Sequence, residues 1–161
     1  MSDVTGYSRS QIGVHWGIAL LLGVSYFSSD AMKAAWRAYR KGNDAFGTVA
    51  AVHLWVGVAI LLLALARVLI RRRRGVPALP VGGHPLADLA AKLTHLGLYL
   101  LMFLIPVSGL TAWFGGVETA GEVHEIIFNL LVALVGLHVA GAVFHQFVLR
   151  DGLMDRMRRP G

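Results

Sequence analysis

Seven histidines carry most of the chemistry that this 161-residue chain can offer: His15, His53, His84, His95, His124, His138 and His145. There is no cysteine. That excludes disulfides, thiolate zinc sites, iron–sulfur ligation and covalent haem attachment through Cys-x-x-Cys-His. His138 and His145 stand seven residues apart. On a helix seven residues turn about 700°, so both rings share a face about 10.5 Å apart along the axis. Gly141 and Ala142 lie between them on that face and leave space for a flat group. Ala19 follows His15 by one turn, and Gly57 follows His53, with Ala50 three residues before it. His95 has Leu98 and Tyr99 at the same offsets, and His124 has Ile127 and Phe128. This contrast selects His15, His53, His138 and His145 as ligands and sets His95 and His124 aside. His84, in a Pro- and Gly-rich connection, reads as a solvated loop residue.

A single histidine in a membrane helix hydrogen-bonds across helices about as readily as it holds a cofactor. Four of them, each beside small residues, point to ligation. Zinc and similar ions would add thiolate or carboxylate ligands. No Asp or Glu lies inside a span apart from Glu125, at the mouth of the fourth. Bis-imidazole haem b, two haems per chain, is the simplest solution, and two axial ligands per iron leave no open position for oxygen. The chemistry expected is therefore outer-sphere electron transfer.

The elements that must position these residues are membrane spans. Hydrophobic residues make up 56% of the chain and the mean hydropathy is +0.62. The apolar residues fall in long uncharged runs, roughly Gln11 to Ser28, Phe46 to Ile70, Ala90 to Phe114 and Val123 to Leu149. Crossing a bilayer takes about 20 such residues. The expected fold is an all-α integral membrane four-helix bundle forming one domain over residues 1–161, with Pro106 kinking the third span. The first ten residues lack the apolar core of a cleavable signal peptide. A pI near 10.3 would suit a nucleic-acid binder, but the positive charge lies at the ends of the spans. It reads as topology, not as a nucleic-acid surface.

Eleven basic residues (Arg9, Arg67, Arg71 to Arg74, Lys92, Arg150, Arg156, Arg158 and Arg159) fall on one side, and four (Lys33, Arg37, Arg40 and Lys41) on the other. The positive-inside rule then puts both termini in the cytoplasm. The Arg71–Arg74 run is read as that signal, with lipid headgroups as a second role. Met32 to Arg40, with Trp36 and Tyr39, reads as a short helix lying on the outer surface. Lys33, Arg37, Arg40 and Lys41 either steer an anionic donor such as superoxide or contact headgroups, and Glu118, Glu122 and Glu125 offset them.

Counting from the basic residues at about 1.5 Å per residue puts His15 and His145 roughly 8 to 9 Å inside and His53 and His138 roughly 18 to 21 Å inside. Depth therefore pairs His15 with His145 and His53 with His138. His95, three residues after Lys92, falls near the cytoplasmic surface. There it either hydrogen-bonds a quinone, with Tyr99 lining the same pocket, or bonds a helix neighbour or a haem propionate.

The segments Gln11 to Trp16, His53 to Gly57, Leu93 to Leu110 with His95 and Pro106, and Gly136 to Met157 together resemble the bacterial cytochrome b561 family, related to the cytochrome b subunits of nickel–iron hydrogenases. The resemblance runs from about Ser8 to Met157. It implies a multi-pass protein of the bacterial inner membrane, haem ligands at His15, His53, His138 and His145, and exchange of electrons with ubiquinone. It also implies one of two settings: a self-contained quinone-linked oxidoreductase, in one branch a superoxide:ubiquinone oxidoreductase, or the haem-bearing membrane anchor of a larger dehydrogenase or hydrogenase. The short acidic connection from Gly115 to Glu125 departs from the family's usual longer one.

Overall fold

The computed structural model describes residues 6–43, 47–78 and 85–161. Among these, four long helices run in sequence: α1 (Arg9–Arg40), α2 (Thr48–Arg74), α3 (Pro85–Gly115) and α4 (Glu118–Phe144). α4 passes directly into a π-helical turn, His145–Leu149, and a short 3-10 turn, Asp155–Met157, follows. All four helices are long and apolar enough to cross a membrane, which is the expected fold class. Large apolar side chains such as Leu20, Phe27, Ile126 and Phe147 point outward. In water such a surface would aggregate; in lipid it is the solvated face. His84 and Phe46 lie outside the described residues.

Local chemistry sets the helix ends. Ser8 caps α1 through a capping box: its hydroxyl accepts from the Gln11 amide at 3.3 Å and the Ser8 amide donates to Gln11 Oε1 at 2.9 Å. Gln11 Nε2 also donates to the Gly75 carbonyl at 2.9 Å, which ties the start of α1 to the end of α2. Gly75 itself ends α2 with φ +74°, a conformation that glycine adopts without a Cβ penalty. Pro85 opens α3, where its missing N–H costs nothing. Pro106 is buried inside α3.

The bundle is built from two hairpins. α1 packs along α2, and α3 packs along α4, while α2 touches α3 less extensively. One core cluster joins Ile18, Ala64 and Met102; the other joins Leu101, Ile105 and Leu131. Leu22 packs against both clusters and so links the hairpins at mid-depth.

One feature differs from the sequence reading. Met32 to Arg40 is not a separate surface helix. It continues α1, whose 32 residues make a rod of about 48 Å, well beyond the bilayer's hydrocarbon core of about 30 Å. The reason is on its flank. Lys33 Nζ meets Glu125 Oε1 at 2.6 Å, Arg40 pairs with Glu118, and Trp36 stacks on Tyr39, which stacks on Trp113, so this stretch leans on α3 and α4 rather than on lipid. The C-terminus folds back beneath the basic end. Trp16 Nε1 donates to the Met157 carbonyl (2.9 Å), Arg156 to the Ala78 carbonyl (2.6 Å), and the Gly161 amide to the Tyr7 carbonyl (3.2 Å).

Candidate functional site

The histidine rings meet across the seam between the two hairpins. His15 of α1 faces His138 of α4 with ring centroids 6.1 Å apart. His53 of α2 faces His124 of α4 at 6.3 Å. Two imidazoles that share one metal ion stand about 6 Å apart by centroid, since each contributes a bond of about 2 Å plus half a ring. Both pairs have that spacing. His124 and His138 are fourteen residues apart on α4, which places the pairs about 21 Å apart along the helix and on nearly the same face.

The outer ring nitrogens of the His53–His124 pair are engaged. His124 Nδ1 donates to the Ile105 carbonyl at 2.8 Å. A carbonyl only accepts, so Nδ1 holds the proton and the lone pair is on Nε2. The Ser28 hydroxyl donates to the Val24 carbonyl (2.8 Å) and lies 3.0 Å from His53 Nδ1, so it accepts from that N–H and again leaves Nε2 free. Gly109 backs the His124 ring: a Cβ there would fall 3.0 Å from its Nδ1 and Cε1. A cavity of about 150 Å³ opens beside this pair, walled by Leu22, Gly57, Met102, Gly109 and Phe128. A Cβ at Gly57 would meet nothing within 4 Å, so the space beside His53 is open.

The His15–His138 pair lies toward the basic end. His95 of α3 packs edge-on against His138, with centroids 5.1 Å apart. Arg67 is close enough to act electrostatically on His15, His95 and His138. Its guanidinium is fixed by a 3.1 Å bond from Nε to the Tyr99 hydroxyl, and Arg71 also sits over the Tyr99 ring. Gly141, one turn beyond His138, has open space where its Cβ would be.

His145 is placed apart from His15. Its Nδ1 lies 2.6 Å from Oδ2 of Asp151, which follows the span that ends at Leu149. Burial by itself would raise the Asp151 carboxyl, but the bonds from His145 and from the Leu153 amide hold it below the usual carboxylate range. The ring pairing therefore differs from the one that depth counting gives. Counting assumed that all helices leave the membrane at one level. α4 instead runs about two turns beyond the level of His15, and the C-terminal strap folds back beside Trp16. His124, set aside for its bulky neighbours, is the residue that faces His53. The signal that finds it is its fourteen-residue spacing from His138, within about 40° of four full turns.

The pairs limit what they can hold. Among the described residues no group of three or more His, Asp or Glu side chains converges as a bare metal would require. Two opposed imidazoles with open space beside them fit a metal whose other four ligands come from a planar macrocycle, which is haem.

Comparison with known proteins agrees. The family model for prokaryotic cytochrome b561 matches residues 6–160. The chain is similar to cytochrome b562 of Cereibacter sphaeroides, 40% identical with 99% of each chain covered. It is also similar to a probable superoxide oxidase, CybB, of Yersinia pestis, 27% identical with 94% of each covered. Cytochrome b561 homolog 1 of Escherichia coli is 23% identical, covering 94% of this chain and 96% of that one. With its four apolar helices and facing histidine pairs, this chain belongs to the prokaryotic cytochrome b561 family, as a multi-pass b-type cytochrome of the bacterial inner membrane that serves electron transfer.

Proposed function

We propose that the chain binds two haems b, one between His15 and His138 and one between His53 and His124, and passes electrons between the outer face and the quinone pool. The observation that carries this reading is the pair of ring separations, 6.1 and 6.3 Å, stacked at two levels of one bundle. The haems would supply one-electron chemistry at iron atoms closed to external ligands. The protein's own part is to hold the four imidazoles, keep Nε2 of His53 and His124 as the free nitrogen, and exclude water with the apolar layer of Leu22, Ile60 and Leu131. Each of these three lies two turns from a pair histidine on its own helix.

The basic end is the cytoplasmic one by the positive-inside rule, which makes His15–His138 the inner pair and His53–His124 the outer. A quinone, taken here as ubiquinone, is placed at the inner end. His95 beside His138 supplies a hydrogen-bonding imidazole there, and the His145–Asp151 pair supplies a second group able to carry a proton to the reduced ring. At the outer face, superoxide is the donor favoured by the name of the Yersinia pestis relative. Lys33 and Arg40 are already paired with Glu125 and Glu118, so long-range steering is weak.

The test is purification from membranes followed by haem extraction and electron paramagnetic resonance. Two non-covalent haems per chain with low-spin bis-imidazole signals, and reduction of added quinone by the reduced protein, are expected. One haem per chain, or a dominant high-spin ferric signal, sinks the reading.

A further inference from the structure

The two histidine pairs are held differently. In the outer pair, both imidazoles donate their second N–H: His53 to the Ser28 hydroxyl at 3.0 Å and His124 to the Ile105 carbonyl at 2.8 Å. The acceptors come from α1 and α3, helices other than the ligands' own. Ser28 is itself locked, because its hydroxyl is spent on the Val24 carbonyl one turn back. In the inner pair, His15 and His138 make no side-chain hydrogen bond among the described residues, and the cation Arg67 acts on both.

An acceptor on the outer N–H makes an imidazole a stronger electron donor to a metal, which favours the ferric over the ferrous state. A nearby positive charge does the reverse. The two effects act at opposite ends of the bundle with the same consequence. Other charges do not undo it: at the outer pair the neighbouring Glu125 is matched by Lys33, and beside the inner pair Arg71 acts on His95 with the same sign as Arg67.

We propose that Ser28 is a positioning residue that sets the reduction potential of the outer haem below that of the inner one. Electrons delivered singly by a donor at the outer face then run downhill to the inner pair and on to the acceptor there. No bond is made or broken between the pairs; one iron loses the electron that the other gains. The inference rests on the ligand pairing proposed above.

The test is potentiometric titration of purified haem-loaded Ser28→Ala and Ser28→Thr proteins, each also made with His15→Ala so that only the outer haem remains. Loss of the acceptor in Ser28→Ala should raise the outer potential by at least a tenfold change in the ferrous-to-ferric ratio, which is 59 mV for one electron. Ser28→Thr keeps a hydroxyl at the same place and should restore the unmodified value. The inner potential, read with His53→Ala, should not follow either change. Two haems with bis-imidazole spectra but an outer potential unmoved by Ser28→Ala overturn the proposal, as does an inner potential lower than the outer in the unmodified protein. If His53→Ala and His124→Ala remove different haems, it is the pairing that fails, and the proposal falls with it.

Discussion

The His124 imidazole lies directly against the backbone of α3 at Gly109, so closely that a Cβ at position 109 would stand 3.0 Å from two of its ring atoms. The same ring reaches past that glycine to donate to the Ile105 carbonyl one turn back. Gly109 and Ile105 therefore fix both the position and the rotation of His124, and through it the geometry of the outer pair.

Gly109→Ala tests this contact. The added methyl meets ring atoms rather than the end of a flexible chain, so the imidazole must move. Overpacking of this kind costs about 1–3 kcal/mol. The outer haem should be lost or its affinity lowered at least tenfold, with the inner haem unchanged, as read by haem content and low-temperature spectra. Gly136→Ala, where a Cβ meets nothing within 4 Å, serves as the control and should keep both.

The ring pairs predict which haem each substitution removes. His15→Ala and His138→Ala should abolish the same redox component, and His53→Ala and His124→Ala the other. His145→Ala should keep both haems. Loss of a haem in His145→Ala would restore the pairing that depth counting suggests.

His95 is expected to serve the quinone rather than an iron. His95→Leu should leave both haems in place while quinone-coupled turnover falls at least tenfold in an assay with a water-soluble quinone. Unchanged turnover at full haem content would move the quinone away from this end of α3.

The ion pairs at the outer end are half exposed, with side-chain exposures of 41% and 52% for Lys33 and Glu125. Exposed pairs contribute about 0–1 kcal/mol. Lys33→Ala or Glu125→Ala should therefore shift thermal unfolding in detergent by only a few degrees. A larger loss would show that the extension of α1 holds the outer end together more strongly than its charges indicate.

The C-terminal strap should loosen in acid. The Asp151 carboxyl is depressed in the folded protein, so its contribution is fully present above the ordinary carboxylate pKa and is lost as pH falls through the lower folded value. Limited proteolysis near Leu153 should accelerate only below about pH 4. Asp151→Asn should show the faster cleavage already at pH 7. Cleavage that ignores both pH and Asp151→Asn would mean that the bonds from Trp16 and Arg156 hold the strap alone.

Composition and pattern by themselves determined the four spans, because an uncharged apolar run of membrane length has one stable arrangement in lipid: a helix with every backbone group satisfied internally. The same logic picked out His15, His53, His138 and His145 as a set, since ionisable groups at that depth need a partner, although the structure puts His145 beside Asp151 and not in a ring pair. The partners themselves were not legible from depth. Axial offsets between helices come from side-chain packing, such as Leu22 against both core clusters, and not from where each apolar run happens to end. α4 therefore slid past the level at which its last arginine would have placed it, carrying His145 out to Asp151 and bringing His138 to His15. His124 was hidden for a related reason. Its neighbours Ile127 and Phe128 are bulky, and the space for its ring comes from Gly109 on another helix, a relationship that exists only once α3 and α4 are packed together.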